Sequence, residues 1–325
     1  MAKATRQAFG ESLARLGESH PQIVVLDADL AKSTKSELFA KKYPDRFFEM
    51  GISEANMIGV AAGLSFMGKL PFLCSFGCFL TGRYDTIRLS AAYAHANVRL
   101  IGTHAGIGIG DDGHSQMGLE DVSLMRALPT MGVFQPMDAR ETEFIMNFLV
   151  NEWKGPAYLR LTRQNLPDLF PANQPFEPGK LMKIREPQNN SATSTKLGKT
   201  SNRRVTCIGT GATVAEAVRA SEKLEAQGVA LTVWNAHSLK PFDEITLGRI
   251  AQNTDLIVTV EDHSVIGGLG SCVAEGLAKT THHPRLVKLG VQDTFGESGD
   301  PAELYEKYGI SADAIVRSVL EEVGK

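Results

Sequence analysis

Short apolar runs recur along the chain, and most are followed by a stretch whose apolar residues return every three or four positions. Ile23-Val24-Val25-Leu26, ending at Asp27, predicts a buried strand, and Phe47-Phe48-Glu49-Met50 a short one. Residues 54–66, apolar and rich in small side chains, predict a helix. A strand over 70–74, a helix over 84–96 and strands over 98–102, 132–135 and 157–161 complete the first half. A second alternation opens with Val205-Thr206-Cys207-Ile208-Gly209 and continues through apolar runs at 231–234 and 256–260. Strands alternating with helices form parallel sheets covered on both faces. The pattern therefore predicts an α/β chain of two doubly wound domains, the first over 1–184 and a smaller one over 205–325. Residues 185–204, polar throughout, read as a linker between them.

At 325 residues the chain is long enough for two domains. A net charge of −3 and a pI near 6.3 argue against nucleic acid or an anionic membrane surface as a partner. No apolar run approaches the roughly 18 residues of a membrane span, and the N-terminus lacks the apolar core of a signal peptide. Cys74, Cys78, Cys207 and Cys272 form no Cys-x-x-Cys pair and have no histidines at zinc spacing. They read as small core side chains in a reducing compartment, which implies the cytoplasm.

In a parallel sheet ligands sit beyond the carboxyl ends of the strands. Asp29, Glu54, Phe76 and His104 all fall just after a predicted strand. On position alone, Glu54 is a glutamate favoured by the dipole of the helix it opens. It could equally be a carboxylate presented to a ring nitrogen. Phe76 and Phe79 suit core packing by spacing, but the glycines around them favour a loop or helix start where a ring can stack on a ligand. Gly108-Ile109-Gly110-Asp111-Asp112-Gly113 fits the dinucleotide spacing G-x-G-x-x-G, yet Asp111 and Asp112 would repel a pyrophosphate. A glycine-rich loop presenting His104, Asp112 and His114 fits these residues better. Gly209-Thr210-Gly211 and Gly267-Gly268-Leu269-Gly270-Ser271 read as close strand–helix packing. Arg163 follows a strand end and is either solvated or a guanidinium fork for a phosphate or carboxylate.

Taken in order, D-A-D-L…S, G-I-S-E, F-G-C-F, T-H-A-G-I-G-I-G-D-D-G, R-Q-N-L-P and E-D-H-S-V-I-G-G-L-G-S resemble the transketolase family across nearly the whole chain. The resemblance covers that family's second and third domains and implies the C-terminal subunit of a split transketolase, with thiamine diphosphate as cofactor. It implies that Glu54 contacts the aminopyrimidine and promotes its imino tautomer, that Phe79 stacks on that ring, and that Phe76 and Asp29 lie beside it. Arg6, Ser33, His104 and Arg163 match groups that hold a sugar phosphate, and Asp112 matches an aspartate that reads a substrate hydroxyl. His104 and His114 are the candidates for proton transfer or for stabilising charge on oxygen.

The family's Gly-Asp-Gly…Asn motif for diphosphate and metal is absent from this sequence. The expected partner is therefore an N-terminal subunit that binds the diphosphate and a magnesium or calcium ion, in a two-plus-two heterotetramer, with this chain binding no metal itself. The expected reaction moves a two-carbon ketol unit between sugar phosphates. Gln116 stands where transketolases carry a histidine. The resulting His114-Ser115-Gln116 resembles the beta subunit of thiamine-dependent 2-oxo-acid dehydrogenases, which is one alternative. An enzyme like 1-deoxyxylulose-5-phosphate synthase is another.

Overall fold

A computed structural model describes residues 2–187, 193–194, 200–201 and 203–324. Of the linker expected at 185–204, residues 188–192, 195–199 and 202 lie outside the described residues. The first half of the chain builds a seven-stranded sheet in the order Ser238–Lys240, Gly132–Phe134, Ala157–Arg160, Arg99–Thr103, Leu70–Phe76, Ile23–Asp27, Phe47–Glu49. All neighbours are parallel except Ser238–Lys240, which comes from the second half and pairs antiparallel with Gly132–Phe134. The second sheet runs Arg285–Val291, Leu256–Ser264, Val205–Gly209, Leu231–Asn235, Met182–Arg185, with only the last strand antiparallel. Both sheets are α/β layers, as the alternation predicts.

The strand period of two explains why both faces of the first sheet are apolar. Val24, Leu26 and Leu73 point into a layer that includes Met57, Ile58 and Ile87. Ile23, Val25 and Phe72 point the other way, into a layer with Phe9, Leu13 and Ile145 from the helices Thr5–Ser19 and Ala139–Asn151. A strand buried on both sides reads as an unbroken apolar run, which is what made these strands visible in the sequence. Several predicted ends move. The strand expected at 70–74 continues to Phe76, and the one at 256–260 continues to Ser264. The helix expected at 84–96 stops at Tyr93 after a π-helical stretch from Ile87, because His95 turns to a φ of 53°.

Two glycine turns after strands behave as packing turns. At the second, the buried Glu261 carboxylate accepts the amides of Leu269 (2.6 Å) and Gly270 (2.8 Å), filling the start of the helix Leu269–Leu277 where a phosphate would bind. Burial pushes that carboxyl up to about 7 even so. Cys74, Cys207 and Cys272 are buried free thiols and Cys78 is half-buried. Among the described residues no helix is long and apolar enough to cross a membrane, and no cluster of three or more His, Cys, Asp or Glu could hold a metal ion.

Candidate active site

The carboxyl ends of Ile23–Asp27, Leu70–Phe76 and Arg99–Thr103 lie side by side, so the residues after them converge. Asp27, fully buried, fixes the first turn. It accepts the Leu30 amide (2.7 Å) and the hydroxyls of Thr34 (2.7 Å) and Ser36 (2.8 Å). Burial nevertheless raises its carboxyl to about 6. Asp29 then takes a left-handed φ of 61°, which its amide supports by donating to Glu49 Oε1 at 2.7 Å. Its side chain is left exposed on the wall of a cavity of about 410 Å³.

That cavity is lined by Asp29, Ile52, Glu54, Cys78, Phe79 and Arg83, among others. Glu54 opens the helix Glu54–Phe66 and is only 5% exposed. Among the described residues Ser75 Oγ is its one hydrogen-bond donor, at 3.4 Å, so most of its accepting capacity faces the cavity. Phe79 presents its ring to the same space. Phe76 lies behind it, buried, stacked on Phe79 with centroids 5.4 Å apart and planes 12° apart. An aromatic wall with one under-satisfied carboxylate suits a flat heteroaromatic ring that carries a donor at its edge. The residues present therefore fit the pyrimidine end of the cofactor that the resemblance implies.

Phe76 also joins this cavity to a second group. Its ring also stacks on His104 with centroids 3.9 Å apart. His104 takes a φ of 56° and is 3% exposed. Arg6 Nη1 lies 2.9 Å from His104 Nε2 and 2.7 Å from the Ser33 carbonyl oxygen. A guanidinium can only donate, so Nε2 accepts and the proton sits on Nδ1, 2.9 Å from Thr103 Oγ1. Burial first, then the charges of Arg6, Arg163 and Lys35, push the ring down to about 3, so His104 is neutral at physiological pH. Arg6 Nε is buried with no hydrogen-bond partner among the described residues. An orphan guanidinium donor near Arg163 and Lys35 is a place for an anion.

Arg163 holds the remaining predicted residue. It pairs with Asp112 at 3.3 Å and donates to the Ile109 carbonyl at 3.2 Å. The structure thus gathers Glu54, Phe79 and Asp29 around one cavity. It gathers Arg6, the Ser33 backbone, His104, Arg163 and Asp112 into an adjoining polar cluster. His114 is exposed on the loop and lines neither. Sequence reasoning passed over Asp27, Glu49, Ser75 and Thr103, which hold the others in place. Asp27 at a strand end was the one legible signal, since a charge closing an apolar run must be paired.

Comparison with known proteins identifies the family. Residues 1–168 match the transketolase pyrimidine-binding domain and residues 196–315 the transketolase C-terminal domain. The chain is 39% identical to a protein named 6-deoxy-6-sulfo-D-fructose transketolase subunit SqwH from Clostridium sp. (strain MSTE9), covering 97% of this chain and 93% of that one. It is 35% identical to Homo sapiens transketolase over 97% of its own length but 48% of the human chain, so it spans about half of that longer relative. A solved structure titled "Split gene transketolase, inactive beta4 tetramer" superposes with a TM-score of 0.84 at 42% identity, covering 100% of this chain and 99% of that one. The chain belongs to the transketolase family and corresponds to the pyrimidine-binding and C-terminal domains of its longer members.

Proposed function

We propose that this chain supplies one half of a thiamine-diphosphate-dependent transketolase, whose other half, with the diphosphate and its divalent metal, belongs to a separate subunit. The observation that carries the reading is Glu54: a buried carboxylate with one long hydrogen bond, facing a cavity walled by Phe79. When bound, the cofactor supplies a carbon nucleophile that accepts and releases a two-carbon ketol unit. Glu54 would accept a hydrogen bond from the pyrimidine ring and stabilise the tautomer in which that ring can take up a proton. Phe79 would cover one ring face, and Asp29 and Ile52 would close the rim.

The polar cluster would bind the sugar. Arg6, with its free Nε, and Arg163 would hold the substrate's anionic end. Asp112, fixed by Arg163, would accept a hydrogen bond from a hydroxyl. The neutral His104, with Nδ1 turned to Thr103 and Nε2 to Arg6, would hold the Arg6 guanidinium in place beside the Phe76 ring.

Two observations support a separate partner. Relatives that this chain matches over nearly their whole length are named a transketolase subunit and a split-gene transketolase, the latter an inactive tetramer. In addition, the helix Glu54–Phe66 carries apolar residues on both its buried and its exposed side. Its outer face leaves Val60 38% and Phe66 64% exposed, beside Met67 at 80% and, on the neighbouring helix, Tyr93 at 81%. A patch of this kind next to an open site marks an interface. The expected assembly is two-plus-two and cytoplasmic, with sugar phosphates as substrates. Neither alternative is favoured by the comparisons.

The test is reconstitution. The purified chain with thiamine diphosphate and magnesium should transfer no ketol unit. Adding a subunit that bears the diphosphate-binding domain should restore transfer between a ketose phosphate and an aldose phosphate, followed by a coupled assay. Turnover by the chain alone would refute the division of labour.

A further inference from the structure

The loop that carries Asp112 is not held by its own domain alone. Its turn, Ile107–Asp112, begins after Gly106, and its first two amides point at a carboxylate from the second half of the chain. Asp262 Oδ1 accepts the Ile107 amide at 2.7 Å and Oδ2 accepts the Gly108 amide at 3.1 Å. The Tyr305 hydroxyl donates to Oδ2 at 2.8 Å and lies 3.1 Å from Gln164 Oε1. Asp262 is 2% exposed and Tyr305 4%. The fit is close: at Gly106, φ 88°, an added Cβ would fall 2.3 Å from Asp262 Oδ2. At Gly110, φ 80°, it would fall 3.2 Å from Pro301, so the second domain also closes the far end of the turn. The backbone of Asp262 is fixed in turn by Arg160, whose Nη2 donates to its carbonyl at 2.9 Å while Nε is paired with Asp121 at 2.8 Å.

We propose that Asp262 is a positioning residue for substrate selection, acting through the Ile107–Asp112 turn, and that the C-terminal domain thereby sets which sugar the site accepts. This rests on the transketolase reading above. The turn presents Asp112 directly. Through the Ile109 carbonyl it also holds Arg163, the cation proposed to grip the anionic end of the substrate. A carboxylate that accepts two adjacent amides fixes the turn in one orientation. An asparagine can accept only with its oxygen, so its amide group would face the second N–H donor to donor. A buried amide left unmatched in that way loosens the turn.

The experiment uses the assembled enzyme with its partner, thiamine diphosphate and magnesium, and compares an aldose phosphate with the same aldose lacking phosphate. Asp262→Asn should lower kcat/KM for the phosphorylated acceptor about tenfold, a ratio that matches one unmatched buried hydrogen bond, and lower it less for the unphosphorylated acceptor, which meets the turn through Asp112 alone. Tyr305→Phe, which keeps the carboxylate, should shift the same ratio less. Thiamine diphosphate affinity should not change. In the isolated chain, hydrogen exchange at the Ile107 and Gly108 amides should speed up in Asp262→Asn while the sheet strands stay protected. Equal loss on both acceptors, or unaltered exchange at those two amides, overturns the proposal. If the unaltered enzyme transfers no ketol unit to either acceptor, the transketolase reading fails, and the exchange result alone still judges the role of Asp262.

Discussion

Glu54 shows how one side chain gains a role from its surroundings. A glutamate at a helix start is ordinary, but one that is 5% exposed with a single 3.4 Å partner is not, since a buried carboxylate normally collects several donors. The missing partner is what a ligand would supply. Glu54→Gln keeps the size and the acceptor for Ser75 but cannot take a proton. Turnover of the reconstituted enzyme should fall by at least roughly 10²-fold, with the isolated chain's melting temperature unchanged. Retention of about a tenth of normal activity would remove Glu54 from the mechanism. His104 was read from sequence as a proton carrier or an oxygen-binding group. With Nε2 engaged by Arg6, Nδ1 by Thr103 and the ring pushed down to about 3, the arrangement favours neither use directly and makes His104 a support for Arg6.

At the scale of elements, the ends carry the information. The helix Ala139–Asn151 is started by Asp138, which is fully buried. One of its oxygens caps the Glu141 amide at 2.8 Å, and the other accepts the amides of Leu169 and Phe170, each at 2.7 Å. The next residue in the relay, Glu141, accepts from Asn235 in the second sheet at 2.7 Å. Asp138→Ala therefore strands three amides at once. It should destabilise the chain by about 3 kcal/mol, more than the ~1 kcal/mol of an exposed cap, as read by chemical denaturation. A loss below about 1 kcal/mol would mean that water replaces the carboxylate. The same logic separates the two glycine-rich turns flanking the site. The 108–113 turn carries a spacing used for dinucleotides, but the amides that lead into it, those of Ile107 and Gly108, are given to Asp262.

For the molecule as a whole, the two halves are fastened by more than a linker. Ser238–Lys240 completes the first sheet, and Lys240 Nζ donates to the carbonyls of Arg126 (2.9 Å) and Leu128. One apolar surface left open is the outer face of the helix Glu54–Phe66. If a partner covers it, Val60→Glu should stop stable assembly with the diphosphate-binding subunit, seen by light scattering after gel filtration. A surface change of this kind should alter the isolated chain's stability by no more than about 0.5 kcal/mol. Normal assembly by this variant would place the interface elsewhere.

The order of strands and helices was legible in the sequence because a doubly buried strand is an unbroken apolar run and a covering helix repeats every three to four residues. That Asp29, Glu54 and Phe79 could share one cavity was legible too, since each follows a strand end and the carboxyl ends of a parallel sheet share one edge. Only the tertiary structure decided how those residues are used. That Arg6 meets His104 across 98 positions, that Asp262 holds a turn more than 150 residues earlier, and that one face of the largely apolar helix Glu54–Phe66 stays open depend on how distant segments pack. Such pairings leave no period in the chain: a hydrogen bond between remote residues constrains their positions in space and imposes no spacing between them along the backbone.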